Sequence, residues 1–320
     1  MTEAPAAKAR VLFVDDEPRV LTTMRILFRA RYEVFFAESG AAALELLKSQ
    51  PVDVIVSDQR MPGMTGIEML RTARELNPNA MRILLTGYSD LNAIIGSINE
   101  GEIFRFINKP WSNDDLTTTV ARAVSAARAT QAVAARAGDP NAVAAMAADS
   151  ASGTPGVLVL DDDPAVPPKI QAILGGDFRV FGATSMDAAV THLEKEAIGV
   201  VISDTRVKDN AVVSLIGTLK QHRPELVSVI LTERADAGSA IELINQGQIY
   251  RFITKPIHDS QCKIAVNSAQ KQHQRLAQSP ELTRRYEVEQ TPEPPPGTAT
   301  VNVGLLERVK TLRSWARRWV

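Results

Sequence analysis

Residues 52–66 read V-D-V-I-V-S-D-Q-R-M-P-G-M-T-G. The apolar run Val52 to Val56 has the length and β-branched content of a strand buried in a parallel sheet. It ends in Asp58, and Pro62 and Gly63 turn the chain just beyond. A carboxylate at the C-terminal end of a parallel strand stands at the edge where open α/β sheets place their ligands. An aspartate there is more often a turn residue or a helix cap. Its company changes the weight. Asp15 and Asp16 end an earlier run, Val11 to Val14, Thr86 ends Ile83 to Leu85, and Lys109 ends F-R-F-I-N-K-P. Four strand ends thereby offer three carboxylates, one hydroxyl and one amine.

The whole set recurs. V-L-F-V-D-D-E-P at 11–18 returns as V-L-V-L-D-D-D-P at 157–164, and I-N-E-G-E-I-F-R-F-I-N-K-P at 98–110 returns as I-N-Q-G-Q-I-Y-R-F-I-T-K-P at 244–256. Asp161 minus Asp15, Asp204 minus Asp58, Thr232 minus Thr86 and Lys255 minus Lys109 each give 146. A register kept this long implies a duplicated domain. Two long copies point to tandem domains, whereas a solenoid needs more and shorter repeats.

The 320 residues suffice for two domains of ordinary size. With 36 basic against 37 acidic residues, no global charge draws the chain to nucleic acid or membrane. The single cysteine, Cys262, excludes an internal disulfide framework and suits a reducing, cytoplasmic location. No apolar stretch approaches the ~18 residues of a transmembrane helix, and the N-terminus lacks an apolar signal core.

The pattern predicts a strand at 10–15, a helix from Pro18 to about Arg31, a strand Val34 to Phe36 and a helix capped by Ser39 and running to about Lys48. After the Asp58 strand come a helix from Gly66 to Leu76, a strand ending at Leu85 and a helix through Leu91 to Asn99 closed by Gly101. A strand Ile103 to Ile107 and a helix from Asn113 to about Ala137 complete the first copy. Five strand–helix alternations argue for a doubly wound parallel sheet of the (βα)5 kind. The expected layout is a tail at 1–9, a first domain at 10–137, an Ala/Gly/Pro linker at 138–156, a second domain at 157–280, a Pro-rich linker at 281–300 and a basic amphipathic helix at 301–320. In that helix Leu305, Val309, Leu312, Ala316 and Trp319 share a face beside Arg308, Lys310, Arg313, Arg317 and Arg318. Three readings stand for it: a partner's surface, peripheral contact with an anionic membrane, or packing on the chain's own domains. It is too short for a helix-turn-helix, so no direct DNA binding is expected. The pair His258-Asp259 has no accompanying metal-ligand cluster and reads as a helix N-terminus.

Asp15, Asp16 and Asp58 at adjacent strand ends repel one another unless a cation holds them. Hard oxygen donors with positions left for water and phosphate suit Mg²⁺ or Mn²⁺. A strand-end carboxylate can attack phosphorus to give an aspartyl phosphate. The transfer then needs positioning and charge neutralisation. The metal, the Lys109 ammonium and the Thr86 hydroxyl supply these from different sides.

The order Asp-Asp, Asp, Thr, Lys-Pro at successive strand ends resembles the receiver domain of two-component response regulators, over both copies. The resemblance implies two flavodoxin-like domains in tandem. It implies Asp58 as phosphoacceptor, Asp15, Asp16 and the Arg60 backbone carbonyl as metal ligands with Asp58, and Thr86, Phe106 and Lys109 as phosphate-binding and switch residues. In the second copy the same roles fall on Asp204, on Asp161, Asp162 and the Arg206 carbonyl, and on Thr232, Phe252 and Lys255. Pro110 and Pro256 become candidates for cis peptide bonds. The implied partners are a sensor histidine kinase or phosphotransfer protein, a downstream effector, and a second copy across the face of the fourth helix, fifth strand and fifth helix. No separate catalytic output domain is recognisable, so an enzyme is not expected.

The second copy departs in three places. Its loop after Asp204, T-R-V-K-D-N-A-V, lacks the Pro-Gly turn; Glu233 replaces Gly87; and Pro167 and Pro168 are expected to interrupt the start of its first helix. One alternative is therefore a regulatory scaffold or phosphate sink with only the first domain active. Another is a Mg-dependent aspartyl-phosphate phosphatase of the haloacid-dehalogenase type. Such enzymes want D-x-D at the first strand end and the acidic pair late in the chain, the reverse of the order here.

Overall fold

Apolar runs that alternate with amphipathic stripes can bury themselves only as a sheet covered by helices. The computed structural model describes residues 7–87, 103–137, 155–208, 210–232, 244–245, 249–286, 304, 308–309 and 311. The chain divides into two compact units, Met1–Ala135 and Arg136–Val320.

In the first unit the elements are β1 (Arg10–Val14), α1 (Pro18–Phe28), β2 (Glu33–Ala37), α2 (Gly40–Ser49), β3 (Val54–Asp58), α3 (Gly66–Leu76), β4 (Met81–Thr86), β5 (Arg105–Asn108) and α4 (Asn113–Ala137). The strands lie in the order β2-β1-β3-β4-β5, and every neighbouring pair is parallel. The order reverses between β1 and β3, which opens a crevice at their C-terminal ends. β3 and β4 are buried at every residue, as central strands covered on both faces must be. Phe13, Met24, Phe28, Val56, Ile83, Leu116, Val120 and Ala127 pack into one core. Ser39 accepts the Ala42 N–H to cap α2, and Thr65 and Glu68 cap α3 reciprocally.

Several boundaries move from their sequence positions. α1 stops at Phe28, not near Arg31, because the N–H groups of Arg31 and Tyr32 both return to the Phe28 carbonyl and the Tyr32 ring packs on Phe28 at 6.1 Å. β3 starts at Val54, not Val52, since the Val52 N–H is taken by the Asn77 side chain. β5 starts at Arg105, not Ile103. The helix expected over Leu91 to Asn99 lies outside the described residues.

The second unit repeats the plan. Its elements are β6 (Gly156–Leu160), α5 (Val166–Leu174), β7 (Val180–Ala183), α6 (Met186–Lys195), β8 (Ile198–Ser203), β9 (Arg206–Val207), β10 (Asn210–Ala211), α7 (Val213–His222), β11 (Val227–Thr232), β12 (Ile249–Thr254) and α8 (Asp259–Gln278). Its sheet has the order β12-β11-β8-β6-β7, the first sheet's order met from the other side, again with parallel neighbours. Both copies are thus flavodoxin-like, doubly wound α/β domains. β6 begins at Gly156, inside the stretch read as linker, and a Cβ there would stand 2.5 Å from the Phe181 ring.

Pro167 and Pro168 sit at a helix start that is displaced by two residues from its first-copy counterpart, and the helix beyond them is unbroken. α5 starts at Val166, so both fall in its first turn, where a missing N–H costs no intrahelical bond. β9 and β10 form a small antiparallel ribbon where the first copy has its Pro-Gly turn. His258 occupies the N-cap position of α8, the helix-terminus reading of the His-Asp pair. The long α4 is tied to its own sheet by Gln131, which donates to Asp53 at 2.6 Å, and by Arg128, which donates to the Ala7 carbonyl at 2.9 Å.

Of the tail, Gly304, Arg308, Val309 and Thr311 are described. Val309 is fully buried, and Arg308 donates to Glu194 at 2.9 and 2.8 Å and to Thr191 at 3.1 Å, on α6. At these residues the tail packs on its own domain. The remainder of the expected helix at 301–320 lies outside the described residues.

Candidate functional site

Parallel register brings the ends of β1, β3, β4 and β5 to one edge, since Asp58 pairs with Leu85 and Thr86 with Asn108. Asp15 follows β1, and its backbone N–H reaches the Ala37 carbonyl at 3.2 Å. Its Oδ1 accepts the Glu17 N–H at 2.8 Å. Asp58 closes β3, and its Oδ2 accepts the Arg60 N–H at 3.0 Å. Lys109, just past β5, places its ammonium 2.6 Å from Asp58 Oδ1 and 3.6 Å from Asp15 Oδ2. Both carboxylates are almost wholly buried.

Burial pushes the Asp15 carboxyl above its ordinary range, a push that the Glu17 N–H and Lys109 only partly offset and that Asp58 and Asp16 reinforce. For Lys109, burial disfavours the charge, but the hydrogen bond and charge of Asp58 outweigh it and hold the ammonium above its usual range. Lys109 also stands 5.4 Å from the centre of the Trp111 ring, within reach of a cation–π contact. The buried Thr86 hydroxyl donates to the Gly87 carbonyl at 3.2 Å. Phe106 is buried in β5, and the Lys109–Pro110 bond is cis.

Asp15, Asp58 and Lys109 therefore meet, and Thr86 ends the strand beside Asp58's. Asp16 is half-buried, and among the described residues no three His, Cys, Asp or Glu side chains converge as a metal cluster. A cation still fits. Asp15 Oδ2 is buried without a hydrogen bond, and the donors present are hard oxygens that Mg²⁺ favours.

In the second copy Lys255 stands 2.8 Å from Asp161 Oδ2 and 2.9 Å from Asp204 Oδ2. Those two carboxylates overcome the effect of burial and hold its ammonium above the ordinary range. Asp204 Oδ1 accepts from the N–H of Thr205 at 2.6 Å and from its hydroxyl at 3.1 Å. Asp162 is exposed, and its Oδ2 accepts the Lys208 N–H at 3.4 Å. Arg206 lies in β9 and Phe252 in β12, Lys255–Pro256 is cis, and Thr232 closes β11. The side chain of Thr232, and Glu233, lie outside the described residues.

Two residues escaped the sequence reading. Gly66 abuts the acceptor strand so closely that a Cβ would stand 2.1 Å from the Asp58 carbonyl oxygen. Thr205 holds Asp204, and its only sequence signal is that the aligned residue of the first copy is Gln59.

The sequence model of the response regulator receiver domain matches residues 11–121 and again 157–267. The chain belongs to the response regulator receiver family. Among curated proteins, the receivers are similar to the hydrogenase transcriptional regulatory protein HoxA of Cupriavidus necator, 44% identical over 119 residues, which are 37% of this chain and 25% of that protein. They are also similar to the DNA-binding transcriptional regulator NtrC of Escherichia coli, 35% identical over 116 residues, 36% of this chain and 24% of that one. The chain spans about a quarter of the length of these relatives, so their names describe far more protein than is matched. Among solved structures, the signal receiver domain of an HD domain-containing protein from Pseudomonas fluorescens Pf-5 is 32% identical, with 41% of this chain and 96% of that chain covered and a TM-score of 0.39.

Proposed function

We propose that this chain is a response regulator whose first receiver accepts a phosphoryl group on Asp58 from a histidine kinase or phosphotransfer protein, in a Mg²⁺-dependent reaction. The observation that carries the reading is the Lys109 ammonium, 2.6 Å from Asp58 at the switch point of a receiver sheet.

One Asp58 carboxylate oxygen attacks phosphorus, the bond to the donor breaks, and the leaving group keeps its electron pair. Lys109 holds Asp58 beforehand and then pairs with a phosphoryl oxygen. The Thr86 hydroxyl, now spent on the Gly87 carbonyl, turns to donate to another phosphoryl oxygen. Asp15, Asp16, Asp58 and the Arg60 carbonyl would hold the divalent cation, which neutralises the phosphoryl oxygens against the carboxylates. Thr86 ends β4 and Phe106 lies in the neighbouring β5, so a turn of the hydroxyl toward the phosphoryl group is coupled through these strands to the face that meets a partner. The output is then protein–protein contact with an effector or a second copy. The sequence also offers Asp204 as an acceptor, but the Lys255 ammonium and the Thr205 donors on its carboxylate weigh against that role.

The test is intact-protein mass after incubation with Mg²⁺ and a small acyl-phosphate donor. The wild type gains a phosphoryl increment that Asp58→Asn does not. An increment of equal yield on Asp58→Asn overturns the assignment.

A further inference from the structure

The two pockets share residue types and some contacts: Asp15 and Asp161 each accept a backbone N–H two residues on, and a lysine pairs with the acceptor in both. Neither Asp15 Oδ2 nor Asp161 Oδ2 accepts a well-directed hydrogen bond. They differ in the ammonium. Both lysines hold the acceptor, Lys109 at 2.6 Å from Asp58 and Lys255 at 2.9 Å from Asp204, but Lys109 stays 3.6 Å from Asp15 whereas Lys255 is 2.8 Å from Asp161. The second lysine is thus a bridge between the two carboxylates that a divalent cation would have to join.

The acceptor positions differ as well. Asp204 Oδ1 is filled twice by Thr205, from its backbone and its hydroxyl. The aligned Gln59 turns away. Its N–H goes to the Leu85 carbonyl and its side chain accepts the Ile67 N–H at 3.2 Å, so beside Lys109 on Oδ1 Asp58 has the single backbone donor of Arg60 on Oδ2, where Asp204 has two donors from Thr205. The outer acidic residues are occupied too. Asp162 takes the Lys208 N–H, and Asp163 takes the Ala165 N–H at 2.8 Å. The β9–β10 ribbon that follows Asp204 brings that Lys208 N–H into place, with Lys208 itself at φ 49°.

We propose that the second receiver takes no divalent cation, because Lys255 bridges Asp161 and Asp204 while Thr205 fills the remaining Asp204 oxygen. Mg²⁺ sheds water reluctantly and demands near-octahedral oxygen ligands. Entry would require displacing an ammonium already in contact with both carboxylates. Thr205 is a positioning residue here, acting through Asp204. It follows that Asp204 is not a Mg²⁺-dependent acceptor, and that the second receiver holds one state while the first switches. The inference rests on the receiver reading of the pockets, so its test separates them.

Mn²⁺ is the probe, on the full chain. In the amide spectrum of the wild type, Mn²⁺ broadens signals around Asp15 and Asp58 and leaves those around Asp161 and Asp204 sharp. Broadening around Asp161 overturns the proposal. In equilibrium dialysis, Lys255→Gln gains one bound Mn²⁺ per chain over the wild type, and Thr205→Val tightens that added site in the Lys255→Gln background. A folded Lys255→Gln protein with no gain overturns it. Failure of the first pocket to broaden contradicts the reading of Asp15 and Asp58, and the gain on Lys255→Gln still decides the second pocket by itself.

Discussion

Asp15 is held as a carboxylate at a cost. Its folded pKa lies above the ordinary 3.8, so between those values the folded chain binds more protons than the unfolded one. Stability is therefore lost as pH rises through that window, and the loss persists at neutral pH. Asp15→Asn is expected to raise the metal-free unfolding midpoint of the first unit at pH 7 and to abolish its stabilisation by Mg²⁺. A lower metal-free midpoint would contradict this. Lys220 shows the opposite sign in the second unit. Burial within α7 lowers its ammonium from 10.5 to about 7, with Glu225 countering only in part. Between those values the unfolded chain binds more protons, so stability rises with pH across that window. Lys220→Met should flatten that rise and raise the midpoint at pH 7; a profile parallel to the wild type would refute it. The sequence hides this residue because a lysine at a helix end reads as solvated, whereas this one is buried.

Elements were legible where local chemistry agrees with tertiary context. α2 and α6 keep their bounds across the duplication, since Met186 minus Gly40 and Lys195 minus Ser49 both give 146, and each follows a serine cap. Strand starts were less legible, because they depend on partners far away in sequence: Asn77 takes the Val52 N–H and so delays β3. The prolines of α5 mark a start two residues later than its counterpart's, a local effect that the sequence carries. At α3, Thr65→Ala removes half of the capping box and should lower stability by about 1 kcal/mol in denaturant unfolding. Gly66→Ala is expected to cost about 3 kcal/mol, since the added carbon meets the Asp58 carbonyl backbone rather than a yielding side chain. A neutral Gly66→Ala would mean that α3 can draw back from β3. In the second copy Val212 occupies that position, and its N–H still reaches the Thr205 carbonyl at 3.1 Å.

At the scale of the molecule, the duplication and the order of strand-end residues carried the fold class, because a constellation that serves one reaction is rare even when each member is common. The divergence of the second copy is legible in its loop without Pro-Gly and in Glu233, but the contacts of Lys255 and Thr205 on Asp204 are not. One substitution, Gln59 against Thr205, and a loop without Pro-Gly redirect the donors around Asp204, and no local propensity announces that. The account predicts that saturating Mg²⁺, at about 100 times its Kd, stabilises the first unit by about 2.7 kcal/mol and leaves the second unchanged. Calorimetry with the two transitions assigned through Asp15→Asn checks it, and equal shifts of both would count against it. The most direct test of the central claim is to load the chain with phosphoryl groups, reduce the acyl phosphate with borohydride and map the resulting homoserine by peptide mass spectrometry. The account predicts homoserine at residue 58. Homoserine at another aspartate, with Asp58 intact, would contradict it.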